Sequence, residues 1–185
     1  MDALRRMEYR GYDSAGIALV SDGTLVSAKK AGKLANLEAE LEASPLPAAN
    51  LGIGHTRWAT HGAPTDANAH PHLSANGRVA LIHNGIIENF AALRAELEAE
   101  GVEFRSATDS EVAAQLVGRA VGEGLALADA MRTVARRLEG TFTLVAVDVE
   151  APGTLVASRR NSPLVVGVGT DEMFVASDVS AFLEH

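Results

Sequence analysis

Cysteine is absent from the 185 residues. That excludes a disulfide framework, a thiolate zinc site and a cysteine nucleophile supplied from within them. Aromatic residues make up only 4%, so alanine, valine and leucine must fill most of the core. No apolar run reaches the length of a membrane-spanning helix. Met1 to Arg10 carries Arg5, Arg6 and Arg10 but no apolar stretch behind them, so it does not read as a signal peptide. Positive charge is in deficit, with a net charge of -8. This argues against nucleic-acid binding, which rests on many Lys and Arg contacts to phosphate, and against an anionic membrane surface. A cytoplasmic protein with neither partner is expected.

What is present fits one globular domain: 47% of residues are hydrophobic and 22% charged. Periodicity and turn chemistry predict the elements. Helices are expected over residues 1–9, 34–43, 88–100, 108–121 and 125–138. Thr108 and Glu111 have capping-box spacing at the start of the fourth. Strands are expected over 16–20 and 24–30, joined by Ser21-Asp22-Gly23, a hairpin signal. Further strands are expected over 51–58, 78–83, 141–149, 154–159, 163–168 and 173–177. Runs such as Thr143 to Val147 and Leu164 to Val168 do not alternate polar with apolar, so both faces should be covered. Hairpin links imply antiparallel pairing. The expected fold class is therefore α+β, with two stacked sheets between helices. Residues 59–77 form a long polar connection, more often functional than idle.

Three polar segments stand out: Glu8 to Gly16, His55 to Gly62 and His83 to Asn89. Arg57 beside Trp58 suits bidentate binding of a carboxylate, or is a surface arginine stacked on an aromatic ring. Asn84 and Gly85 are positioned to donate to an oxyanion, or form an ordinary turn. Asp109 caps its helix, or holds an ammonium. His55, His61, His70, His72 and His83 crowd together without the spacing of a metal motif, so neither metal nor cofactor is expected.

Taken in order, Tyr9 to Gly16, His55 to Gly62, Asn68 to His72, His83 to Asn89 and Thr108-Asp109 resemble the class II glutamine amidotransferase domain. Ser158-Arg159, Pro163-Leu164 and Ala176 to Asp178 also fit that family. The resemblance runs along essentially the whole chain and is strongest to the aminosugar-forming branch. It implies a four-layer αββα sandwich of the N-terminal-nucleophile hydrolase type, with L-glutamine as substrate. Arg57, with Thr60 and His61 beside it, would bind the glutamine α-carboxylate, and Asp109 the α-ammonium. Asn84 and the Gly85 N–H would form the oxyanion hole, Trp58 would gate the ammonia path, and Arg10 would position the nucleophile. His70 and His72 match a family segment near a domain interface.

The family's nucleophile is an N-terminal cysteine whose own amine acts as base, and Met1 aligns inside the family's first helix. Residues 1–185 are thus expected to be one partial glutaminase domain, short of its first strand and its end. The sugar-phosphate isomerase domains that would bring in fructose 6-phosphate lie outside it. An unpaired sheet edge is expected where that strand would sit, and the parent protein is expected to be a homo-oligomer. A glutaminase domain of the amidophosphoribosyltransferase or asparagine synthetase kind, and a non-catalytic glutamine-binding module, are the competing readings. Leu183-Glu184-His185 reads equally as native sequence or a tag remnant.

Overall fold

The computed structural model describes residues 1–183, apart from the side chain of Arg10. Glu184 and His185, and with them the question of a tag remnant, lie outside the described residues, as does any role for the Arg10 side chain.

The N-terminal helix is shorter than its sequence suggests: α1 covers Asp2–Arg6, and a 3-10 turn follows at Glu8–Arg10. Strands β1 (Ser14–Ser21) and β2 (Thr24–Ala31) form the expected hairpin. Asp22 and Gly23 both take positive φ there, +49° and +73°, the backbone that a tight two-residue hairpin turn needs. Helix α2 (Leu34–Ala43) packs Leu34 and Leu37 onto this sheet. Strand β3 (Leu51–Arg57) pairs with the other edge of β1, giving the order β2-β1-β3.

The second sheet has the order β4-β5-β6-β7, from His72–Leu73, Val79–Ile87, Gly140–Asp148 and Leu155–Arg160, all antiparallel. The short β4 lies inside the long polar connection, where no strand was expected. Helices α3 (Phe90–Ala99), α4 (Asp109–Gly122) and α5 (Leu127–Arg137) cover its outer face. Strands β8 (Val165–Val168) and β9 (Met173–Ala176) form a separate hairpin.

Alternation along the strands divides the core. On β6, Phe142, Leu144 and Ala146 face the helices, whereas Val145 and Val147 face the first sheet, meeting Ala18, Val20 and Ile53. Both faces of β6 are therefore covered, which is why its sequence shows a run instead of alternation; the run Leu164 to Val168 is not covered in this way, because β8 lies in the separate hairpin and leaves Val166 and Val168 62% and 79% exposed. The layers run helix, sheet, sheet, helix: the α+β fold is the four-layer αββα sandwich. At α4 the Thr108 hydroxyl caps the helix by accepting from the Glu111 N–H at 3.2 Å. The Glu111 carboxylate reaches past the cap to the N–H groups of Arg105 and Ser106, at 2.9 and 2.6 Å, and so ties the preceding loop to the helix.

Candidate active site

The Asn84-Gly85 pair does not turn. Strand β5 continues through it to Ile87, with Asn84 opposite Thr143 and Gly85 opposite Phe142. Gly85 has φ +125°, and a Cβ there would lie 2.0 Å from the Thr141 carbonyl oxygen. Ladder pairing with β6 outweighs the local turn preference, and only glycine fits.

A cavity of about 980 Å³ opens between the two sheets. Arg57, Trp58, Thr60, Asn84, Gly85 and Asp109 all line it. Gly52 to Trp58 line it consecutively. Successive strand residues point to opposite faces, so β3 presents its edge to the cavity, not one face.

Arg57 is 3% exposed and so is no surface arginine stacked on Trp58. Its Nη2 donates to the carbonyl oxygens of His61 and Gly62, the latter at 3.1 Å. Its Nη1 is buried without a hydrogen-bond partner, 3.6 Å from the Asp13 carboxylate. One side of the fork is fixed to the loop and the other is available to an incoming carboxylate. Trp58 turns outward and is 70% exposed. Its ring lies against Gly11, where a Cβ would come within 2.7 Å of it.

Asp109, 3% exposed, is the first residue of α4. Its carboxylate accepts from the Ile87 N–H at 2.9 Å and from the Ser110 hydroxyl at 3.3 Å. His83 lies 3.9 Å from it, and burial lowers the His83 pKa in spite of the carboxylate. Among the described residues no lysine or arginine pairs with Asp109. The cavity thus holds a buried acid without a cation and a buried cation with a free donor.

His61 is not brought into this lining. Its carbonyl serves Arg57, while its ring meets Phe90 edge-on at 5.0 Å. His55, His70 and His72 form a buried ladder. The His55 and His70 rings are 4.2 Å apart and those of His70 and His72 4.8 Å. Burial pushes His55 down to about 4, and His70 and His72 well below the ordinary imidazole value. These rings are neutral bases, and no three His, Asp or Glu residues among those described are placed to hold a metal.

Two residues to which the sequence assigned no role help to hold the site. Asp13 accepts from the Ala59 N–H and lies beside Arg57, fixing the loop that follows β3. Lys29 donates to the carbonyl oxygens of Ala67, Ala69 and Pro71 at 3.2, 2.8 and 3.3 Å. A signal existed: Lys29 and Lys30 are neighbours on one strand, so one of them must face inward. Lys30 pairs with Glu40 on α2, and Lys29 clamps the histidine-bearing loop. Lys29→Met should leave those carbonyls unpaired and cost about 2 kcal/mol. Faster amide hydrogen exchange confined to residues 59–72 would register it; unchanged exchange would deny the clamp.

The family described as "Glutamine amidotransferase domain" matches residues 55–184. The glutamine–fructose-6-phosphate aminotransferase (isomerizing) of Streptomyces coelicolor is 64% identical over 185 residues, covering 100% of this chain and 30% of that protein. That of Mycobacterium tuberculosis is 62% identical over 190 residues, again covering 100% and 30%. The chain thus spans about 30% of the length of these curated relatives. Among solved structures, the glutamine phosphoribosylpyrophosphate amidotransferase of B. subtilis, complexed with ADP and GMP, has a TM-score of 0.80 at 28% identity, over 98% of this chain and 39% of that one. A structure described as the allosteric regulatory enzyme of purine biosynthesis has a TM-score of 0.81, also at 28% identity, over 98% and 39%. With more than half of its length matched by the family, on a shared fold, the chain belongs to the glutamine amidotransferase family.

Proposed function

We propose that the cavity binds L-glutamine for hydrolysis of its side-chain amide, in a protein that passes the released ammonia to fructose 6-phosphate. One observation carries this reading: the Asp109 carboxylate, with no lysine or arginine paired to it among the described residues, and the half-committed Arg57 fork line the same cavity. A free amino acid is zwitterionic and needs one anion and one cation in its site. Arg57 Nη1 takes the α-carboxylate and Asp109 the α-ammonium, with Thr60 and the His61 loop closing around them. The γ-carboxamide then lies toward Asn84 and Gly85, whose N–H groups meet the oxyanion that forms when the carbonyl is attacked. Trp58, against Gly11 at the mouth, closes the path that ammonia takes.

The acceptor rests on the names of the relatives, which are glutamine–fructose-6-phosphate aminotransferases. It is tested by glucosamine 6-phosphate formation from glutamine and fructose 6-phosphate in the whole protein. The 185 residues contain no thiol, so by themselves they bind glutamine and do not turn it over. Calorimetry should show glutamine binding that falls by about 10–100-fold in Arg57→Ala and in Asp109→Asn, the scale of one charge-assisted hydrogen bond each. Unchanged affinity in either variant overturns its assignment. Release of glutamate at enzyme-like rates by these residues overturns the mechanism.

A further inference from the structure

The oxyanion role of Asn84 depends on which end of its carboxamide faces the cavity. A carboxamide has one accepting oxygen and one donating nitrogen, and only the nitrogen serves a developing negative charge. Asn84 Oδ1 lies 2.8 Å from Nε2 of His55. His55 sits on β3 of the first sheet and Asn84 on β5 of the second, so this contact bridges the two layers beside the cavity that both residues line. Among the described residues nothing else holds the Asn84 carboxamide.

We infer that His55 is a positioning residue: its neutral Nε2–H tautomer donates to Asn84 Oδ1 and thereby turns Asn84 Nδ2 into the cavity, toward the γ-carbonyl oxygen of glutamine. The inference rests on the glutamine-binding reading above. The tautomer follows from the pair itself, since an amide oxygen only accepts and Nε2 must then donate; the surroundings of the ring bear on it as well. His55 Nδ1 is buried without a partner. The His83 backbone carbonyl also lies near the ring and favours its protonated form, so it is the acceptor that competes with Asn84 Oδ1 for the His55 proton. The ring cannot swing away, because it is 7% exposed and packed against His70 at 4.2 Å. Burial also holds the His55 pKa near 4, so the ring stays neutral at ordinary pH and carries one proton. The ladder continues from His70 to His72, whose Nε2 lies 3.0 Å from the Thr108 hydroxyl. Thr108 caps the helix that begins with Asp109. The same buried stack therefore braces both ends of the proposed substrate site.

Histidine-selective ¹⁵N NMR of the full chain tests the tautomer, with the His55 signals assigned by their loss in His55→Gln. The expected spectrum shows a one-bond proton coupling at Nε2 and none at Nδ1. A proton on Nδ1 makes Nε2 an acceptor, turns Asn84 Oδ1 toward the cavity, and overturns the inference. The consequence for binding is read with two probes, L-glutamine and L-norleucine, which lacks the carbonyl. Glutamine should bind about tenfold more tightly than norleucine. In His55→Phe that ratio should fall to about one at unchanged norleucine affinity, because removing one hydrogen bond forfeits about the same factor. His55→Gln, which can still donate to Asn84, should restore part of it. An unchanged ratio in His55→Phe, or equal loss of both ligands, overturns the positioning role. If neither amino acid binds the unsubstituted chain, the glutamine reading fails, and the tautomer measurement alone still decides how His55 holds Asn84.

Discussion

Acidification from about pH 7.5 to about pH 4.5 should cost the folded chain roughly 3 kcal/mol or more, through the histidine ladder alone. His55, His70 and His72 are buried and have lowered pKa values, and burial is the first cause in each case. The charges facing them do not help: His83, Arg57 and Lys29 are basic and disfavour a further proton. In the unfolded chain each imidazole titrates near its ordinary value of 6.5, so between that pH and about 4 the unfolded state binds the extra protons. Stability is complete above 6.5 and is lost as the pH falls toward 4. For His55 alone the drop from 6.5 to about 4 corresponds to roughly 3 kcal/mol. Urea unfolding at both pH values measures it. His70 supplies the control, since neither of its ring nitrogens has a partner. His70→Leu removes an unsatisfied buried polar group and should stabilise the chain and flatten its pH dependence. An unfolding free energy independent of pH across this window would mean that the rings are hydrated in the folded state.

Gly85→Ala should be the most damaging single-methyl change at the site. The new Cβ would meet the Thr141 oxygen at 2.0 Å and the Phe142 Cα at 2.9 Å, at φ +125°. Those neighbours are backbone of the paired strand β6, so no side chain can swing aside. Backbone strain and overpacking together cost about 4 kcal/mol. Loss of glutamine binding should accompany the fall in thermal midpoint, because Asn84 shares the displaced segment. Gly153→Ala, where nothing lies within 4 Å of the new Cβ, should move the midpoint little. A Gly85→Ala protein of normal stability would mean that β5 and β6 can separate here at little cost.

Local chemistry wrote much of the fold into the sequence. The Asp22-Gly23 hairpin, the α2 stripe of Leu34 and Leu37, and the Thr108 cap each depend on residues a few positions apart. The covered faces of β6 were legible in its unbroken apolar run. The three polar segments were legible as well, since their residues break the local apolar pattern. Contacts between residues far apart in the chain were not. Asn84-Gly85 reads locally as a turn, and pairing with Thr143 and Phe142, almost sixty residues on in the sequence, makes it strand. His61 and Arg57 look alike as candidate ligands. Packing then puts the Arg57 fork in the cavity and the His61 ring on Phe90.

The sequence by itself determined the family, the sandwich and the list of polar residues available to a zwitterionic substrate, because motifs and periodicity are short-range properties. Tertiary structure alone decided that Asp109 has no lysine or arginine paired to it among the described residues, that Arg57 keeps one donor free, and that His55 reaches from one sheet to the other to meet Asn84. Each of those facts depends on burial and on the meeting of distant strands, which set the local dielectric and the count of available partners.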